Sequence, residues 1–103
     1  MEATMAYRLI SVAWRKWKLT FTNELPRDCD GFCDPPTKKS KSIKIKSGLV
    51  GQELLETFLH ETHHAGNDSI CEDYVERIAA DQAHAFCNKD CLFYWAPRFI
   101  HVL

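Results

Sequence analysis

The sequence predicts an α+β fold in which a small antiparallel sheet with an edge strand packs on two main helices. Short segments of alternating polar and apolar residues occupy the first half of the chain, and segments with apolar residues three and four positions apart follow in the second half. With 103 residues, of which 46% are hydrophobic, the chain suits a single domain, 1–103, with one modest core.

Composition narrows the range of functions. The net charge of -1 gives no reason to expect nucleic-acid binding. No apolar run is long enough to span a bilayer, and the first residues lack the basic and apolar regions of a signal peptide. We therefore expect a cytoplasmic protein without a nucleic-acid or membrane partner, and the oligomeric state stays open.

Alternation predicts a strand at Lys16–Thr22, where Trp17, Leu19 and Phe21 share one face. The preceding segment, Tyr7–Val12, fits either another strand or a short helix. No Gly or Asn marks a tight turn between the two segments, so both interpretations stay open.

A second alternating strand is predicted at Ser42–Lys46, with Ile43 and Ile45 facing inward. Lys44 and Lys46 face outward, which is typical of a strand at the edge of a sheet. The residues between the two strands, Asn23–Lys41, include three prolines and a glycine and are predicted to form a loop. Its three aspartates lack the spacing of a calcium loop and are predicted to be solvated turn residues: Asp28, Asp30 and Asp34.

The next segment predicts an amphipathic helix that begins near Gly51 or Gln52 and is stopped by Gly66 and Asn67. Its apolar stripe has helical spacing and consists of Leu54, Leu55, Phe58, Leu59 and Thr62.

This helix carries the motif His-Glu-x-x-His in residues His60, Glu61 and His64. Because residues four positions apart lie on one helix face, the two imidazoles can converge on one metal ion. Glu61 lies beside them, where it can accept a proton from water.

A second helix is predicted from Ser69 to Cys87, and Ser69 with Glu72 three residues later matches a capping box. The aromatic-rich tail, Leu92–Leu103, is predicted to form a short turn or strand on the core. The buried stripe predicted for this helix is Ile70, Tyr74, Val75, Ile78, Ala79 and Phe86.

Catalytic zinc commonly has three protein ligands, so a third ligand is expected from elsewhere in the fold. Glu72 has a local role in the capping box, whereas Glu76 lies one turn further on, beside Ala79 and Ala80, which allow close helix approach. Glu76 is therefore favoured over Glu72 as the third ligand, and both stay open. The full set of candidates is Glu72, Glu76, Asp81, His84 and His101.

The runs Gln52–Glu61 and Tyr74–Ala79 resemble small phage and bacterial metallopeptidase-like proteins related to the gluzincins. Cys33–Lys38 and Ile43–Ile45 also resemble the loop and strand of such proteins, and the likeness covers most of residues 16 to 87.

The resemblance implies a zinc ion held by His60, His64 and Glu76, with Glu61 as general base. It also implies that the strand Ser42–Lys46 holds an extended peptide substrate. The expected activity is zinc-dependent hydrolysis of a peptide or protein, and Tyr94, His84 and His101 are candidate donors to the developing oxyanion.

The alternative is a non-catalytic protein-binding module that contains zinc. Glu61 favours hydrolysis over this alternative, because a structural metal site has no use for a base.

The five cysteines are an odd number, and in a reducing compartment they are expected to be thiols. Cys29 with Cys33 and Cys87 with Cys91 form two Cys-x-x-x-Cys pairs, which also suit a structural zinc or a disulfide.

Overall fold

A computed structural model describes residues 7–26 and 28–87 of the chain. The α+β fold is confirmed, and neither of the described helices is long and apolar enough to cross a membrane. The predicted tail segment, Leu92–Leu103, lies outside the described residues. The elements in chain order are β1 (Tyr7–Val12), β2 (Arg15–Thr22), β3 (Gly31–Cys33), β4 (Ser42–Lys46), α1 (Gly51–Gly66) and α2 (Glu72–Cys87).

The four strands form a mixed sheet in the order β1-β2-β4-β3. β1 pairs with β2 and β3 pairs with β4 in antiparallel fashion, whereas β2 and β4 are parallel. The sheet is therefore not antiparallel throughout. The long connection between β2 and β4 explains the difference, because a parallel pair requires a crossover that a tight hairpin cannot provide.

β4 lies inside the sheet, so the prediction that Ser42–Lys46 forms the edge is wrong. The edge on this side is β3, a three-residue strand within the predicted loop that is too short to show alternation. The outward lysines of β4 face this neighbour and its flank: Lys44 Nζ lies 5.9 Å from the centre of the Phe32 ring, and Lys46 Nζ lies 3.9 Å from Asp30 Oδ1.

The connection that carries β3 is fastened to β4 by Asp34, which is only 6% exposed. Its Oδ2 accepts a hydrogen bond from the Ser42 amide at 2.8 Å, and its own amide donates to the Ser42 carbonyl at 3.0 Å. Lys38 Nζ lies 3.4 Å from Asp34 Oδ1. Asp34 is therefore a buried anchor rather than the predicted solvated turn residue, while Asp28 and Asp30 are exposed as expected.

The predicted inward faces of β2 and β4 are confirmed. The buried core consists of residues from these two strands and α1: Trp17, Leu19, Ile43, Ile45, Leu54 and Ala65. α1 contacts the sheet through β1, β3 and β4, and α2 packs on α1. The His-Glu-x-x-His motif thus lies on the helix that touches both the sheet and the second helix.

The buried face of α2 agrees with the prediction at Val75 and Ala79 and differs from it at Tyr74. Tyr74 is 52% exposed, and the fully buried side chains are Val75, Ala79 and Ala83, which repeat every fourth residue. Helix packing selects this face because small side chains allow two helix axes to approach closely. The bulkier Ile78 and Phe86 lie half-buried at its border.

Tyr7–Val12 is a strand and not a helix, joined to β2 by the two residues Ala13 and Trp14. Both have positive φ angles, 53° and 67°, which a two-residue hairpin of this twist requires. Asn and Gly normally occupy such positions, so without them the turn could not be recognised from the sequence. Ala13 and Trp14 also leave the backbone strained. Trp14 is fully exposed, and no packing compensates for this strain.

Replacing Ala13 with Asn and Trp14 with Gly should therefore stabilise the protein. We expect the free energy of unfolding to rise by about 1 kcal/mol. The strain removed from two left-handed residues exceeds the cost of the added glycine, which raises the conformational entropy of the unfolded chain. Chemical denaturation measures this. Ser11→Gly, in the regular part of β1, is the matched control and should destabilise; equal effects of both changes would show that the turn is unstrained.

Candidate metal centre

The two histidines of the motif lie one turn apart on α1, which runs from Gly51 to Gly66 as predicted. His60 Nε2 and His64 Nε2 are 3.3 Å apart, and the ring planes meet at 61°. Both side chains are partly buried and line the same cavity. Their nitrogens therefore converge on one point, as the spacing predicted.

Glu72 completes the group. Its Oε2 lies 2.9 Å from His60 Nε2, and its Oε1 lies 2.9 Å from His64 Nε2. Of the residues that the structure describes, these three form the group whose ligand atoms all lie within 4.8 Å of one another. Two helices thus bring two imidazoles and a carboxylate together.

Glu72 reaches the histidines because α2 begins at Glu72 itself. The predicted capping box with Ser69 does not form, since both carboxylate oxygens face imidazoles instead. The Ser69 amide donates a hydrogen bond to Asn67 Oδ1 at 3.0 Å, which shapes the short connection between the helices. The local role that argued against Glu72 as a ligand is therefore absent.

The donor atoms suit a metal ion. Zinc bonds to His nitrogen and to carboxylate oxygen are about 2.0–2.2 Å long, so tetrahedral ligand atoms lie about 3.3 Å from each other. The two ring nitrogens are 3.3 Å apart. Each carboxylate oxygen of Glu72 lies 2.9 Å from the nearer ring nitrogen, which is 0.4 Å shorter. The three groups are therefore close enough together to hold an ion.

The other candidate ligands are placed differently. Glu76 lines the same cavity but does not belong to the three-residue group. Asp81 and His84 are exposed on α2 and do not line this cavity. His101, and the candidate donor Tyr94, lie outside the described residues.

Glu61 is where the motif predicted it, beside the two histidines and lining the cavity. It is only 8% exposed, and within the described parts of the chain no hydrogen bond or ion pair reaches its carboxylate. Burial raises the pKa of Glu61 to about 7, and the nearby Glu72 carboxylate raises it further in the same direction. A largely buried carboxylate is thus held at the cavity wall, and its remaining exposure is to the cavity.

The cavity has a volume of about 450 Å³, within the range of small-ligand sites. One wall consists of Asp28, Cys29, Asp30 and the start of β3, and the opposite wall consists of α1 and the first turns of α2. Sequence inspection missed the first wall, because the strand that forms it is three residues long.

Gly31, the first residue of β3, permits close approach of this wall to Glu61. A Cβ atom at Gly31 would lie 2.7 Å from Glu61 Oε2 and 3.0 Å from Thr57 Cγ2. These distances are shorter than van der Waals contact, so only glycine fits without displacing the carboxylate. Nothing in the local sequence distinguishes this glycine from a turn residue.

His63, the middle histidine, has a structural role. Its Nε2 lies 2.8 Å from Gln82 Oε1, which joins α1 to α2 at a point ten residues beyond Glu72 on α2. This contact, together with the buried face of α2, fixes the position of Glu72 relative to α1.

None of the described cysteines belongs to the three-residue group, although Cys29 lines the same cavity. Cys29, Cys33 and Cys71 are free thiols. Burial raises the pKa of Cys33 to about 12, and the neighbouring carboxylates Glu61 and Asp34 contribute, so this thiol stays protonated at neutral pH. Cys91 lies outside the described residues, so the proposed pairing of the two Cys-x-x-x-Cys segments stays a prediction.

No family model matches the chain, and comparisons with curated proteins and with solved structures give no significant match. The likeness to gluzincins therefore stays a prediction. The chemistry assigned to this site depends on the geometry of His60, His64, Glu72 and Glu61.

The ligand geometry predicts different outcomes for the two glutamates of α2. Glu72→Ala should weaken binding of Zn²⁺ by more than about 100-fold, because loss of a direct ligand costs more than loss of an outer contact. Glu76→Ala, one turn away, is the matched control and should retain the metal. Calorimetric titration with Zn²⁺ at one pH measures both, and the reverse result would establish Glu76 as the ligand.

The close approach at Gly31 predicts that Gly31→Ala forces Glu61 and Thr57 apart. We expect the free energy of unfolding to fall by about 1–3 kcal/mol, as in other overpacked interiors. Gly66→Ala is the control, since a Cβ there meets no atom within 4 Å. Denaturation of both variants measures the difference, and an unchanged stability of Gly31→Ala would mean that the Glu61 side chain moves freely.

Proposed function

We propose that this protein is a zinc-dependent metallopeptidase in which His60, His64 and Glu72 hold the ion and Glu61 is the general base. The observation that carries the proposal is the position of Glu61: it is buried, lacks a hydrogen-bond partner among the described residues, and lines the cavity that contains the three ligands. A metal site that only stabilises the fold has no use for such a carboxylate.

Two imidazoles and a carboxylate suit zinc, and three protein ligands would leave a fourth coordination position for water. Zinc in such a site polarises a carbonyl group and lowers the pKa of water that it binds to about 7.

Glu61 would take a proton from the attacking water and deliver it to the nitrogen of the leaving amine. A bond forms between the water oxygen and the carbonyl carbon, the C–N bond breaks, and the products are a carboxylate and an amine. Gly31 supports this role, because its missing side chain leaves the space that the Glu61 carboxylate occupies.

The edge strand β3 offers a way to hold the peptide. Its partner β4 occupies one side, and its other side is the end of the sheet in the described structure. An extended peptide can add to such an edge through main-chain hydrogen bonds. Because Gly31 and Phe32 line the cavity, a peptide on β3 would pass directly by Glu61. β3 thereby takes the role that the resemblance implied for Ser42–Lys46.

Glu61→Gln tests the proposal. The variant should fold and retain zinc, while peptide hydrolysis falls by at least about 100-fold, because only the proton acceptor is lost. Zinc content by mass spectrometry and cleavage of a peptide library measure the two properties.

The matched control is Glu53→Gln, an exposed residue in the first turn of the same helix, which should leave hydrolysis unchanged. Zinc-loaded wild-type protein that cleaves no peptide would contradict the proposal and favour the non-catalytic binding module.

A further inference from the structure

The cavity contains more acidic groups than metal binding and base catalysis require. Besides Glu61 and Glu72, four carboxylates line it, and no Lys or Arg among residues 7–26 and 28–87 does. The only ion pair to any of the four within the described residues joins Asp30 to Lys46, at 3.9 Å and half exposed. The four additional carboxylates are Asp28, Asp30, Glu56 and Glu76.

A bound divalent ion does not neutralise this excess. Its two positive charges match the negative charges of Glu72 and Glu61, so the four additional carboxylates still give the cavity a net negative field. The exposed pair between Asp30 and Lys46 offsets little, because such pairs contribute about 0–1 kcal/mol. Cavities lined by charges of one sign concentrate ligands of the opposite sign.

Glu56 and Glu76 have the positions best suited to act on a substrate. Glu56 precedes His60 by four residues on α1, and Glu76 follows Glu72 by four residues on α2. Each therefore lies about one helical turn, roughly 6 Å along the axis, from a proposed metal ligand and on the same face. The two helices pack together, and both carboxylates line the cavity that contains the three proposed ligands.

The same two residues continue into a neighbouring cavity. That space, about 490 Å³, is lined by Glu56, Glu76, Asp73, Arg77 and Ala80, with three carboxylates and one guanidinium. A side chain that extends from the metal group past Glu56 and Glu76 would therefore enter a second acidic space. An extended, positively charged side chain fits this path.

We propose that Glu56 and Glu76 select peptides with a Lys or Arg side chain next to the bond at the metal. The inference rests on the proposed function, since it names the substrate class of the same site. Glu76 then determines specificity and is not a metal ligand.

Peptide binding to the zinc-loaded Glu61→Gln protein tests the inference without turnover. The probes are fluorescent Ala/Gly peptides that carry one central Lys, Gln or Glu, and binding is measured by anisotropy. We expect the Lys peptide to bind about tenfold more tightly than the Gln peptide at low salt. This preference should decline in 1 M salt, where screening acts over about 3 Å.

Adding Glu56→Gln and Glu76→Gln to that protein should abolish the Lys preference and leave zinc bound, whereas Glu53→Gln should preserve the preference. If wild-type protein hydrolyses peptides but the Glu61→Gln protein binds Lys and Gln peptides equally, this inference is overturned and the proposed enzyme is not. A Lys preference in binding without hydrolysis by wild-type protein would support the inference and reject the proposed enzyme. Loss of zinc from Glu76→Gln would also overturn the role given to Glu76.

Discussion

The contact of the Glu72 carboxylate with His60 and His64 is the interaction on which the site depends, because it joins two helices at one point. Helical spacing alone aligns the two histidines, but it supplies no third ligand. Glu72 arrives because the connection after Gly66 is short and α2 begins at Glu72 itself. The contact between His63 and Gln82 fixes the pair of helices further along.

The sheet completes the site from the other side. β3 crosses α1 at Glu61, and the absence of a side chain at Gly31 lets the strand approach the carboxylate closely. The buried Asp34 fastens the end of this strand to β4 and so keeps the cavity wall in place. Glu61 is thus enclosed by a strand and a helix, which accounts for its burial and for its raised pKa.

The crowding of carboxylates at the site would also link metal binding to the stability of the fold. Carboxylates crowded into a partly buried space repel one another, as the effect of Glu72 on the pKa of Glu61 shows. A divalent cation held there would remove this repulsion in the folded state only, so its binding would stabilise the fold. A cationic group of a substrate would likewise reduce the repulsion among the carboxylates whose charge the metal does not neutralise.

The sequence by itself determined α1, the inward faces of β2 and β4, and the positions of His60, Glu61 and His64, because these follow from the periodicity of a single element. Tertiary structure decided the rest. β3 is too short to show a hydrophobic pattern. Because β4 pairs with β3, β4 lies inside the sheet and not at the predicted edge. Glu72 and Glu76 share a helix face, so periodicity cannot separate them; the start of α2 and its packing through Val75, Ala79 and Ala83 place Glu72 against the histidines.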